Sequence, residues 1–251
     1  MKIKPFQLLC DLLFPPRCAA CGKFMAPGCN RVLCAECAGL WAKETLSQCK
    51  SCFLPMHSCF CVPDNMQRAG VRAHIKMAPY GAENGHSVAA RLLLGAKKHP
   101  NKRLFRFLAT DLAVGVRAAL LAADRTREKQ GLPIPSAVIC WLPRNRASVT
   151  RYGFDQAALL ARALGKELSY PVVPLLRRKR DTAPQKTLSA RARAANLSGA
   201  FKISDKAVPP RVILVDDVVT TGAGMSEAAR VLEGAEIFAV SVAVTEKRSE
   251  K

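Results

Sequence analysis

Residues 212–225 read VILVDDVVTTGAGM. Val212 to Val215 are apolar in succession, the mark of a strand buried on both faces and therefore of a parallel sheet. Asp216 and Asp217 follow where backbone polar groups leave such a sheet, and Thr220-Thr221-Gly222-Ala223-Gly224 comes next. The glycines permit a tight turn whose N–H groups point inward as an anion nest, the threonines add hydroxyls, and a helix N-terminus follows. The turn suits a phosphate and the acids suit hydroxyls; a sugar phosphate carries both. A Walker A loop is excluded, because Met225 stands where its lysine would be. A receiver domain is excluded too, because only 34 residues follow Asp217 and its acids would have to open the domain.

Outward from this segment, strand-like and helix-like stretches alternate. RAGVRAHIKMAPY (68–80) reads as a strand, HSVAARLLLGAKK (86–98) as a helix, and KRLFRFLATDLAVGVRAALLAADR (102–125) as a longer amphipathic helix with Leu104, Leu108, Leu112 and Val116 on one face. REKQGLPIP is expected to be a loop, SAVICWLP a buried strand, FDQAALLARALGKEL a helix and YPVVPLL a short strand. After VILVDD come the helix MSEAARVLEG and the strand EIFAVSVAVT. Such alternation predicts an α/β fold with a parallel sheet covered by helices on both faces. Ligands of these sheets bind beyond the carboxyl ends of the strands. Pro143-Arg144, Arg151 to Gln156 and Asp216 to Gly224 are all expected at that rim.

The chain has 251 residues, enough for one good core and a small appendage. No apolar run is long enough to span a bilayer. The N-terminal MKIKPFQLLCDLLFPPRC is interrupted by Asp11 and Pro15-Pro16, so it reads as mature protein rather than a secretory signal. A cytoplasmic location is the expectation. Thirty-nine basic and nineteen acidic residues give a formal charge of +20, which favours polyanionic partners, either nucleic acid or phosphate-rich small molecules.

Ten of the eleven cysteines lie in the first 61 residues. This compositional step divides a cysteine-rich segment (1–65) from the alternating segment (66–251). The pairs Cys18/Cys21, Cys34/Cys37, Cys49/Cys52 and Cys59/Cys61 are knuckles that each offer two thiolates, and two knuckles complete a tetrahedral zinc site. The first two pairs form one expected ribbon and the last two a second, with Cys29 or His57 as alternative ligands. In a reducing compartment this spacing favours metal over disulfides. A segment so poor in aliphatic residues needs the metal to fold, so the zinc is structural. Cys140 is read as a core residue.

These residues resemble the ComF family of competence-associated proteins, which have a type I phosphoribosyltransferase fold and a zinc-ribbon head. VILVDDVVTTGAGM looks like the phosphoribosyl-pyrophosphate (PRPP) signature. LLFPPRCAACG resembles the ribbon head, RYGFDQAALLARAL the family's RGFNQ segment, and APQKTLSARARAANLSGAF its Q-x-x-L and R-x-x-N segment. Two departures are visible: Asp155 replaces the usual Asn, and CWLPRNR stands in place of a Pro-Val-Pro run. The resemblance implies that Asp216 and Asp217 take the ribose hydroxyls and serve catalysis. It implies that Val218 and Thr220, Thr221, Gly222, Ala223 and Gly224 complete the PRPP site, and that Mg²⁺ accompanies the ligand. Arg144 and Arg151 would face the pyrophosphate. The basic stretch carrying Arg178, Arg180, Gln185, Arg193 and Asn196 would be either a hood over PRPP or an arm for single-stranded DNA.

Three readings follow. One is a phosphoribosyltransferase acting on an unidentified base or nucleotide acceptor, associated with DNA uptake or use. Another is a PRPP-sensing, single-stranded-DNA-binding protein of the uptake machinery that does not turn over. The last, a plain zinc-ribbon nucleic-acid binder, leaves the intact loop unexplained.

Overall fold

The computed structural model describes residues 11–81, 87–98, 101–179 and 199–245. Four strands form one parallel sheet: β1 (Val71–Pro79), β2 (Ala137–Trp141), β5 (Arg211–Val219) and β6 (Glu236–Val244), in the spatial order β1-β6-β5-β2. β3 (Leu176–Arg178) and β4 (Phe201–Ile203) form a separate antiparallel pair. The helices are α1 (Ala35–Thr45), α2 (Asp64–Gln67), α3 (Val88–Lys98), α4 (Lys102–Lys129), α5 (Arg146–Tyr152), α6 (Gln156–Leu168) and α7 (Ala223–Val231).

β5 lies between two neighbours and is buried along Arg211–Val215, as its apolar run requires. Its side chains alternate between two cores. Ile213 and Val215 join the core built from α3, α4 and α6, whereas Val212 and Leu214 join the one that holds Met66, Phe201 and Met225. The long helix α4 buries Leu104, Leu108, Leu112 and Val116 as its periodicity predicts. Its N-terminus is capped by Asn101 Oδ1, which accepts from Arg103 N at 2.9 Å. Gly115 lets α4 approach β1 closely, since a Cβ there would sit 2.8 Å from Ile75 Cγ2.

The cysteine-rich segment shares this core. Leu33, Cys37 and Trp41 are buried in the same cluster as Leu104 and Leu108. Glu44 of α1 caps α3, accepting from Val88 N at 2.6 Å and Ala89 N at 3.0 Å. The step in composition is therefore not a gap in packing.

Several local expectations are corrected. Most of REKQ continues α4 as far as Lys129, a solvated polar turn with no apolar periodicity to reveal it; Arg127 and Lys129 there suit the negative end of the helix dipole. YPVVPLL contributes one bridge, Val172 to Ile139, and the pairing strand begins only at Leu176, since two prolines interrupt the run. α5 was not foreseen. The strand of the signature runs on through both acids to Val219. His74 is fully buried in β1, its Nε2 2.9 Å from Ser241 Oγ; burial, then the charge of Lys76, pushes its pKa down to about 3. Among the described residues no helix is long and apolar enough to cross a membrane.

Candidate functional site

Arg144 holds three separate segments of the chain together at one end of the sheet. Its Nη2 lies 2.8 Å from Asp217 Oδ2 and donates to Gln156 Oε1 at 2.6 Å, while its backbone N–H donates to Asp155 Oδ2 at 3.0 Å. Asp155 does double duty, because its Oδ1 caps α6 by accepting from Ala157 N at 3.0 Å. Burial raises the Asp155 pKa despite these bonds. Gln156 is fully buried and its amide donates to Leu93 O at 2.9 Å, so the group that orients the guanidinium is itself fixed by α3. Of the three segments expected at the rim, Pro143-Arg144, Arg151 to Gln156 and Asp216 to Gly224, this network joins Arg144, Asp155, Gln156 and Asp217.

The two acids are not equivalent. Asp217 is ion-paired to Arg144, with both side chains mostly buried. Asp216 accepts a hydrogen bond from Asp217 N at 2.8 Å, yet burial, followed by the charge of Asp217, raises its pKa well above the carboxylate range. Burial and the Asp217 charge also push the Tyr80 phenol upward, so Tyr80 belongs to the same electrostatic neighbourhood. Among the described residues, Arg144 is the guanidinium paired to this acidic couple, through Asp217.

Beyond Val219 the chain turns through Thr220 and Thr221 into Gly222, which has φ +76° and is the N-cap of α7. Only glycine takes that conformation without strain. No side chain caps α7, and Thr221 Oγ1 is a long 3.4 Å from Ala223 N. Among the described residues this helix start thus lacks a side-chain cap, a condition under which a helix start can take an anion.

The remaining expected residues fall as follows. Arg178 donates through Nε to Pro143 O at 3.1 Å and lies 5.4 Å over the Phe201 ring, beside the loop that carries Arg144. Arg151 is exposed on α5, 5.5 Å over the ring of Tyr152. Arg180, Gln185, Arg193 and Asn196 lie outside the described residues. Asn65 was not anticipated: its side-chain amide donates to Thr221 O at 3.0 Å across 156 positions of sequence. Asp155 and Gln156 were expected at the rim as part of the Arg151 to Gln156 segment, but their roles in holding Arg144 were not foreseen.

The cysteines form two sets, Cys18, Cys21, Cys34 and Cys37, and Cys49, Cys52, Cys59 and Cys61, with the sulfurs of each set within 4.8 Å of one another. A tetrahedral zinc ion with bonds of about 2.3 Å places sulfurs roughly 3.8 Å apart, so both sets fit one ion each. Polarity agrees. Burial pushes the Cys18 thiol up, but the backbone amides of Cys34, Cys21 and Ala20 together outweigh it and bring the thiol to about 6. Cys49 is likewise brought to about 6, against its burial, by the amides of Ser51 and Cys52. Each set thus contains one thiol poised to ionise, as metal ligation needs. Cys29 and His57 stay outside both sets, and Cys140 is buried in β2 as a core residue.

No family model matches the chain. Over 117 residues it is 36% identical to the DNA utilization protein YhgH of Escherichia coli O157:H7, a match covering 46% of this chain and 51% of that protein. The same name and figures hold for a Shigella flexneri protein. Over 120 residues it is 35% identical to Competence protein F of Haemophilus influenzae, covering 46% of this chain and 52% of that one. The chain thus spans about half the length of the relatives it matches. Relatives bearing these names are consistent with assigning the chain to the ComF family.

Proposed function

We propose that Asp216, Asp217 and the Thr220–Gly224 loop bind PRPP with Mg²⁺, and that the protein transfers the phosphoribosyl group to a nitrogenous acceptor during DNA uptake or use. One observation carries this reading: a carboxylate pair held by the Arg144 guanidinium lies within a few residues of a helix start that, among the described residues, has no side-chain cap. A ribose 5-phosphate needs that combination, hydroxyl acceptors beside a phosphate cradle. When bound, Mg²⁺ would neutralise charge on the pyrophosphate oxygens.

The residues divide the work. Asp216 and Asp217 accept hydrogen bonds from the ribose hydroxyls, Val218 backs them, and the amides and hydroxyls of Thr220 to Gly224 hold the 5′-phosphate. Arg144, with Arg151 further out, faces the leaving pyrophosphate, where negative charge grows as the bond to C1 breaks. Fixed by Gln156 and Asp155, Arg144 needs little reorganisation to do so. Arg178, with Arg180, Gln185, Arg193 and Asn196, belongs to a hood or nucleic-acid arm. A cytoplasmic location goes with this reading.

A second reading, a PRPP-responsive single-stranded-DNA binder without turnover, is favoured by the +20 charge and by the names of the relatives. Calorimetric titration with PRPP and Mg²⁺ tests what both readings share. Saturable, magnesium-dependent heat is expected, weakened roughly a hundredfold or more when two charged hydrogen-bond acceptors are lost in Asp216→Asn/Asp217→Asn. Equal affinity in that variant would remove the site assignment. Pyrophosphate release with candidate acceptors then separates the enzyme from the sensor.

A further inference from the structure

The two cysteine sets differ in what they touch. The second set is tied to the sheet by Lys76 of β1, which is only 4% exposed. Its Nζ donates to Cys59 Sγ at 3.2 Å, Cys59 O at 3.3 Å, Cys61 O at 3.1 Å and His74 O at 3.2 Å. A buried ammonium is costly without a compensating charge. Four thiolates around one divalent ion carry a net negative charge, so a metal-loaded second set supplies that compensation where Lys76 sits.

The same set leads directly into the ligand loop. Two residues after Cys61, Pro63 starts α2, and its carbonyl accepts from Met66 N and Gln67 N, each at 2.9 Å. α2 is a single turn and cannot hold its place through its own hydrogen bonds. It nevertheless presents Asn65 Nδ2 to Thr221 O at 3.0 Å and buries Met66 completely. The fit against the loop is close: a Cβ added to Gly222 would lie 2.9 Å from Met66 Sδ and 3.1 Å from Asn65 Nδ2. Gly222 is thus fixed twice, by its positive φ and by Met66 beneath it. The first set instead packs toward α1 and α4, in the other core cluster.

We propose that metal at Cys49, Cys52, Cys59 and Cys61 positions the Thr220–Gly224 loop through Asn65 and Met66, and that metal at the first set does not. Asn65 and Met66 are positioning residues, acting on the ligand through the loop. The consequence for PRPP rests on the function proposed above; the consequence for the loop itself does not.

The full-length protein tests this with zinc quantitation and hydrogen exchange of the 220–226 amides, followed by PRPP-Mg²⁺ titration. Cys52→Ser is expected to lose one zinc equivalent and to speed loop exchange, roughly tenfold for the loss of about one hydrogen bond with its packing. Cys21→Ser is expected to lose one equivalent and leave loop exchange as in wild type. Asn65→Ala is expected to keep both equivalents and still speed loop exchange several-fold, with Asn65→Gln restoring part of the protection. Wild-type exchange in zinc-depleted Cys52→Ser, or equal acceleration by Cys21→Ser, would overturn the proposal. Should Cys52→Ser fail to fold, wild-type loop exchange in Asn65→Ala would overturn it alone. Loop exchange that follows the second zinc in a protein that binds no PRPP would sustain this inference and remove the proposed ligand.

Discussion

The two ends of β5 treat charge in opposite ways. At the N-terminal end, one arginine is answered by two carboxylates: Arg211 is buried, with Nε 2.7 Å from Glu236 Oε2 and Nη1 2.7 Å from Asp124 Oδ1. Arg72 approaches Glu236 as well, at 3.4 Å, which brings the group to balance. At the C-terminal end, two adjacent carboxylates are answered by one arginine, and the pKa of Asp216 rises. The first end is a structural joint between β5, β6 and α4, in which Arg211 Nη2 is buried without a hydrogen-bond partner among the described residues. Among the described residues, the second holds a carboxyl whose ionised form is disfavoured by burial and by its neighbour's charge, close to an uncapped helix start, a cost to the free protein that a ligand carrying hydroxyls, phosphate and a cation would remove. A strand with one settled end and one unsettled end is a support with a site on it.

Breaking the settled end should have the largest effect. Arg211→Met leaves the partly exposed Asp124 without its partner and the buried Glu236 with Arg72 alone, and is expected to cost about 3 kcal/mol in denaturant unfolding. A change below about 1 kcal/mol would mean the joint is ornamental.

Relieving the unsettled end should act in the opposite direction. The folded-state pKa of Asp216 is raised, so the stability linked to its protonation is present below the ordinary carboxylate range and is lost as pH rises through the raised value. Asp216→Asn is therefore expected to stabilise the free protein at neutral pH, with the difference closing toward pH 4. A variant less stable than wild type at neutral pH would mean that the carboxylate is structurally satisfied.

The smallest change in stability is expected at Arg144. Arg144→Ala frees Asp217 and Gln156 but leaves space for water to reach both, so it should cost only about 1–2 kcal/mol. PRPP affinity should fall far more than this, whereas loss of stability with unchanged affinity would move Arg144 to the structural end of the comparison.

Much of the unsettled end was legible in the sequence, because its chemistry is local: the buried run, the acids, the threonines and the glycines are consecutive. The cysteine sets were legible for the same reason, through their spacing. What supports the site was not. Arg144 meets Asp217 across 73 positions and Asn65 meets Thr221 across 156, and no periodicity carries such pairings. Asp155 looked like a departure on the pyrophosphate side; in the fold its two oxygens cap α6 and hold the Arg144 backbone, two acceptors in one plane of the kind an Asn side chain does not offer. α5 escaped notice because a short helix of polar residues has no apolar face to betray it.

The central claim is that the carboxylate pair at the end of β5 exists for PRPP and Mg²⁺. Thermal unfolding of wild type and Asp216→Asn/Asp217→Asn, each with and without PRPP-Mg²⁺, tests it in one experiment. The expected result is a crossing: the free variant melts above free wild type, and only wild type gains from the ligand. A variant that gains as much as wild type, or a wild type that gains nothing, would contradict it.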